Sequence, residues 1–134
     1  MTQFPPDVYA LIDAAVAEDQ TFNDPTTQAV VPPEIQGTGM LRAKAVGVLA
    51  GVDVAIAVLQ RVDTTLDVKE ILQDGAPHSP GDDIAVVRGS AAGILRAERI
   101  ALNFMQRMSG IASDTNRYVQ AVNGLKARIV DTRK

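Results

Sequence analysis

The chain has 134 residues, 46% of them apolar, which suits one packed domain rather than a disordered tail. It has no cysteine, excluding disulfides, thiolate metal sites and cysteine nucleophiles, and its aromatic content of 4% is too low for a base-stacking nucleic-acid platform. The net charge of −3 conceals a split: up to Val87 there are four Lys or Arg against thirteen Asp or Glu, and from Arg88 to Lys134 nine against three. The C-terminal part is therefore expected either to face an anion or to pair with the acidic part.

Pro5 and Pro6 precede Asp7, and Val8, Leu11, Ile12, Ala15 and Val16 recur at helical spacing, which predicts an amphipathic helix from Pro6 to Glu18. Asp19 to Pro33, rich in Asp, Asn, Thr and Pro, reads as an irregular connection. Gly37 to Leu49 reads as a strand pair or one bent strand, with Met40, Ala43, Ala45 and Val48 at its apolar positions. Gly51 to Val62 returns to helical spacing through Val54, Ala55, Val58 and Leu59. Short strands are expected near Leu66 to Leu72 and Asp83 to Arg88, on either side of a turn-rich run from Asp74 to Asp82.

From Ala91 to Val122 a single long helix is predicted, about 45–50 Å if unbroken. Its apolar stripe comprises Ile94, Ala101, Met105, Met108, Ala112 and Val119. Glu98 falls on that stripe and is expected to be partly covered, with Arg99 about 100° away around the axis. Ser109-Gly110 suggests a kink or a close helix approach, since glycine is unfavourable in a helix interior. Gly124 ends the helix, and Lys126 to Thr132 reads as a strand. No run approaches the apolar length of a membrane helix, and the N-terminus lacks a secretion-signal pattern, so no membrane association and a cytoplasmic location are expected.

The run Ala97-Glu98-Arg99-Ile100-Ala101-Leu102-Asn103-Phe104-Met105-Gln106-Arg107-Met108-Ser109-Gly110-Ile111-Ala112-Ser113 resembles the long-helix signature of the quinolinate phosphoribosyltransferases. Val130-Asp131-Thr132-Arg133-Lys134 resembles the strand-end motif that follows it in that family. Glu18-Asp19, Asp24, Thr26-Thr27, Gly47-Val48-Leu49-Ala50-Gly51, Asp74-Gly75 and Pro80-Gly81-Asp82 agree, so the resemblance covers essentially the whole chain. One departure lies in Asp19 to Asp24, where the family usually has glycines around a Gly-Asp pair and a different loop conformation is expected. The family's pattern also continues for roughly another domain's length beyond Lys134.

The resemblance implies an α+β fold: an open α/β sandwich as the N-terminal domain, over residues 1–110 and including the start of the long helix. Residues 111–134 would begin a truncated C-terminal (β/α) barrel, of which the first strand is present. The implied activity is that of a pentosyltransferase, nicotinate-nucleotide diphosphorylase (carboxylating). It joins quinolinate to phosphoribosyl pyrophosphate (PRPP), releasing pyrophosphate and carbon dioxide to give nicotinate mononucleotide in NAD biosynthesis. A planar dianion and a polyphosphate need cations whose charge does not depend on pH, and arginine meets that need with a rigid bidentate fork.

By resemblance, Arg133 and Lys134 are the catalytic candidates, and Arg99, Thr132, Arg133 and Lys134 bind substrate, with Asp131 and Thr132 orienting the pair. Arg99 would be lent to the neighbouring subunit, which implies a homodimer or larger homo-oligomer. Mg2+ would arrive with PRPP, its ligands lying mainly outside these residues. The isolated chain is expected to be inactive and, with its helix stripe and unpaired strand exposed, to associate.

Simpler readings stand beside these. Glu98 and Arg99 would be salt bridges fastening the helix to the strands, Arg133-Lys134 a frayed soluble tail, His78 a solvated loop residue, and Asp82-Asp83 turn punctuation rather than a metal site. Arg88, Arg96, Arg107 and Arg117 read as solvated or interfacial. Three other functions compete: a related phosphoribosyltransferase-like protein of molybdate-transport operons, a nucleic-acid module, and a barrel-sandwich carrier module, whose modified lysine would sit at a hairpin tip, where neither Lys44 nor Lys69, the lysines before the long helix, falls. Strongly salt-dependent DNA binding would favour the nucleic-acid module.

Overall fold

A computed structural model of the chain describes residues 3–132. Helix α1 spans Pro6–Glu18, as its spacing predicts, and buries Ile12 and Val16 one turn apart. Pro6 suits the first helical position because its missing N–H would have had no intrahelical partner there. The helix closes in a Schellman turn: Gln20 N–H donates to the Ala17 carbonyl at 3.2 Å and Thr21 N–H to the Val16 carbonyl at 3.4 Å. That turn needs a left-handed residue after the cap, and Gln20 supplies it at φ +51°, the one positive φ outside glycine among the described residues.

The segment predicted to be irregular contains a further helix, α2 (Pro25–Val30). It is six residues long, too short for hydrophobic periodicity to reveal. Asp24 caps it, accepting from Thr26 N–H at 3.1 Å and Thr27 N–H at 3.2 Å, and from the Thr27 hydroxyl. These bonds, the hydroxyl first among them, hold the Asp24 carboxyl below the usual carboxylate range.

Five strands follow in two antiparallel sheets. Strands β1 (Gln36–Arg42), β3 (Asp67–Glu70) and β5 (Asp83–Ser90) form one in the order β1-β5-β3, while β2 (Gly47–Val48) pairs with β4 (Pro77–His78) in the other. The predicted strand pair over 37–49 is therefore two strands in separate sheets, and the turn-rich run contains β4. In β1 the covered positions are Gly37, Gly39 and Leu41, so Met40 points outward, and Ala45 is exposed as well. The inversion has a cause in packing. A Cβ on Gly39 would stand 2.9 Å from Val87 Cγ1 on β5 and 3.4 Å from Ile94 Cγ2 on the long helix, so glycine there leaves room for both, while Gly37 meets Ala91 at ordinary contact distance.

Helix α3 (Val52–Val62) buries Val52, Val54, Ala55, Ala57, Val58 and Leu59, and packs on α4 (Ala91–Ala121), which runs unbroken through Ser109-Gly110. Its 31 residues span about 46 Å. Of its predicted stripe, Ala101 and Met105 are buried, Ile94 and Ala112 half-buried, and Met108 and Val119 exposed. The buried positions are Ala92, Gly93, Ala97, Ile100, Ala101 and Met105, all in the first half. Glu98 is exposed, contrary to expectation: the core presses on the Ala97–Ala101 side of the helix, which turns Glu98 to the rim.

The strand predicted over Lys126 to Thr132 does not form. After the turn at Gly124 (φ +83°), residues 127–132 are exposed and pair with no strand among the described residues. Strand geometry is stabilised by a ladder, and a β-forming run without a neighbour has none.

Candidate functional site

The candidate residues divide into two groups. Arg99 projects from the first half of α4, its side chain 73% exposed, and Nη1 donates to Asp19 Oδ1 at 3.2 Å. The Asp19 side chain is 27% exposed and lies at the C-cap of α1. The fastening salt bridge thus exists, but it runs from Arg99 to a helix end rather than from Glu98 to a strand. Asp131 and Thr132 are exposed at the other end, and Arg133 and Lys134 lie outside the described residues. No hydrogen bond or ion pair among the described residues joins Arg99 to Thr132. The helix alone carries Ala121 about 33 Å along its axis from Arg99.

Beside the Arg99–Asp19 pair is a cleft of ≈ 460 Å³, lined by Ala15, Glu18, Asp19, Ile100, Asn103, Phe104 and Arg107. Arg107, read as solvated or interfacial, therefore faces the same cleft as Asp19. A larger groove of ≈ 750 Å³ follows the other side of α4, between the β1–β2 connection and the residues from Glu98 to Asp114.

The rest of the signature helix serves the fold. Ser109 Oγ accepts from Ala50 N–H at 3.0 Å and donates to the Ala50 carbonyl at 3.1 Å. Ser113 Oγ treats Val48 likewise, at 2.9 and 3.4 Å. Residues four apart on a helix rise about 6 Å, close to the separation of residues two apart on a strand, so paired hydroxyls can act as a ladder for an extended edge. The motifs Gly47–Gly51 and Ser109–Ser113 are thus two sides of one seam. Asp74 completes it by accepting from Gly51 N–H at 2.8 Å and Val52 N–H at 2.9 Å, at the start of α3. Sequence gave no warning of this seam, because its partners are 22 to 65 residues apart.

The remaining titratable candidates are structural. His78 Nδ1 lies 2.9 Å from the Ala45 carbonyl, tying β4 to the β1–β2 connection. Asp82 accepts from Ser79 N–H at 2.8 Å, and Asp83 pairs with Arg42 at 2.6 Å. Among the described residues no three His, Asp or Glu side chains cluster as a metal cage. Lys69 lies within β3 and Lys44 in an irregular connection, neither at a hairpin tip as a carrier lysine would be.

The architecture is a small α+β domain of two antiparallel sheets with a long C-terminal helix that bears the one outward-held cation of the candidate set among the described residues. The family model for the quinolinate phosphoribosyl transferase N-terminal domain matches residues 24–109, and the chain belongs to that family. It is 44% identical over 127 residues to the nicotinate-nucleotide pyrophosphorylase (carboxylating) of Mycobacterium leprae (strain TN), covering 92% of this chain and 44% of that protein. Against the chloroplastic enzyme of that name from Arabidopsis thaliana, identity is 39% over 129 residues, covering 96% and 36%. The crystal structure of NadC from Streptococcus pyogenes superposes with a TM-score of 0.92 at 34% identity, covering 99% of this chain and 48% of that one. The chain therefore spans less than half the length of these relatives. No helix among the described residues is long and apolar enough to cross a membrane.

Proposed function

We propose that the chain provides the N-terminal domain of a quinolinate phosphoribosyltransferase. In this reaction the pyridine nitrogen attacks C1 of PRPP, pyrophosphate leaves, the adjacent carboxylate departs as carbon dioxide, and the ring carbon it leaves takes up a proton to give nicotinate mononucleotide. The observation that carries the reading is the signature helix itself. Its serines and small residues lock it to the domain, while Arg99 is held out toward solvent with most of its donors uncommitted. A guanidinium so placed suits a carboxylate arriving from outside the domain, which is what substrate bound by a neighbouring subunit would present.

Arg133, Lys134 and Thr132 belong to the same proposal as the second anion-binding group. The outward setting of Arg99 suits a site assembled between subunits of a homodimer or larger assembly. The division near residue 110, the requirement for magnesium with PRPP, and a cytoplasmic location are parts of the proposal too. No described residue is assigned to the metal.

The test is to supply the full-length gene product with quinolinate, PRPP and magnesium and follow nicotinate mononucleotide by chromatography. Formation that is lost on Arg99→Ala and retained on Arg117→Ala supports the reading. No product from the full-length protein, or full activity of Arg99→Ala, refutes it. Residues 1–134 alone are expected to give none.

A further inference from the structure

Arg99 has a single polar partner among the described residues, Asp19, and the two differ in setting: the carboxylate is mostly covered and the guanidinium mostly exposed. At the C-cap of α1 the Asp19 carboxylate cannot serve the last helix carbonyls, since both are acceptors, while its backbone N–H bonds the Ala15 carbonyl at 3.1 Å. Its side chain has no other hydrogen bond among the described residues. The left-handed turn at Gln20 ends the helix there and leaves the carboxylate against α4. The bond to Nη1 leaves the Nε–Nη2 edge of the guanidinium open, and that edge forms parallel hydrogen bonds to a carboxylate.

We propose that Asp19 is a positioning residue for Arg99. It grips one corner of the guanidinium so that the opposite edge is presented, ordered, to a substrate carboxylate. The inference rests on the proposed function above and adds a residue to it. An arginine otherwise free at 73% exposure loses rotamer freedom when it binds. Asp19 restricts that freedom before substrate arrives, so its contribution falls on substrate binding rather than on the bond-making step.

The experiment compares the full-length wild type with Asp19→Asn, Asp19→Glu and Arg99→Lys. Steady-state kinetics with each substrate are combined with calorimetric quinolinate binding and thermal melting. Asp19→Asn is expected to raise both the KM and the Kd for quinolinate about three- to tenfold, the scale on which ordering one long side chain alters affinity. The kcat, the KM for PRPP and the melting temperature should hold, and Asp19→Glu should recover most of the loss.

If Asp19→Asn behaves as wild type while Arg99→Lys is impaired, the positioning role is overturned and the enzyme assignment stands. A lowered quinolinate KM would mean that Asp19 competes with substrate, which also overturns it. A fall in kcat, PRPP affinity and melting temperature together would show a merely structural residue. A wild type that binds no quinolinate would defeat the functional reading, and this inference with it.

Discussion

Replacing Ser109 and Ser113 by alanine, singly and together, tests whether the seam between the signature helix and the 47–51 segment stabilises the domain. Each serine accepts one backbone N–H and donates to the carbonyl of the same residue, at part-buried positions. Alanine fills nearly the same space but leaves an amide and a carbonyl short of partners, which costs about 1–2 kcal/mol per serine. A domain of this length loses about 3–4 °C of melting temperature per kcal/mol, so the double variant should melt about 7–14 °C lower. The two effects should depart from additivity, because both hydroxyls hold the same short segment.

The assay is equilibrium denaturation followed by circular dichroism. Gly110→Ala is the internal control: a Cβ there meets nothing within 4 Å, so this change should stabilise the isolated domain by about 0.5–1 kcal/mol. A double serine variant within about 0.5 kcal/mol of wild type would refute the reasoning, since it would mean that these part-buried backbone groups find other partners at little cost. A destabilised Gly110→Ala would refute the open setting of that glycine.

Two further outcomes follow from local physics. Gln20→Gly should raise stability by about 0.5–1 kcal/mol, because glycine accepts φ +51° without strain while adding some freedom to the unfolded chain, and a lower melting temperature would count against it. Glu70 is expected to show the opposite pH behaviour to Asp24. Burial first, then Asp53 and Asp74, push its carboxyl above the ordinary value, so its favourable contribution belongs to the protonated form and is lost as pH rises through the folded pKa. Glu70→Gln should therefore melt higher at pH 7, with the gap closing as pH falls through the ordinary carboxylate range, and a gap that widens in acid would reverse the sign.

Helices of eleven residues or more were legible from spacing alone. In α1, α3 and α4 the apolar positions recur often enough for one face to declare itself, and the boundaries fall where proline, glycine and capping residues put them. The six-residue α2 and two-residue β2 and β4 were not legible, because segments so short contain too few residues to show a period. The candidate site was readable only through its resemblance to a family. Nothing in the pattern of charges separates Arg99 from Arg107 or Arg117, and Asp19, which holds Arg99, is 80 residues away from it.

By itself the amino-acid sequence determined the helix faces, the absence of thiol chemistry and the family signature, because these are properties of neighbours along the chain. Tertiary structure decided which half of α4 is covered, that Met40 faces out while Gly37 and Gly39 face in, and that Glu98 lies on the rim. It also decided that the run before Thr132 stands without a ladder among the described residues. Each of these depends on what arrives from elsewhere in the chain: a glycine looks like a weak strand residue until a helix must approach its Cα, and a β-forming run becomes a strand only when another backbone offers the matching hydrogen bonds.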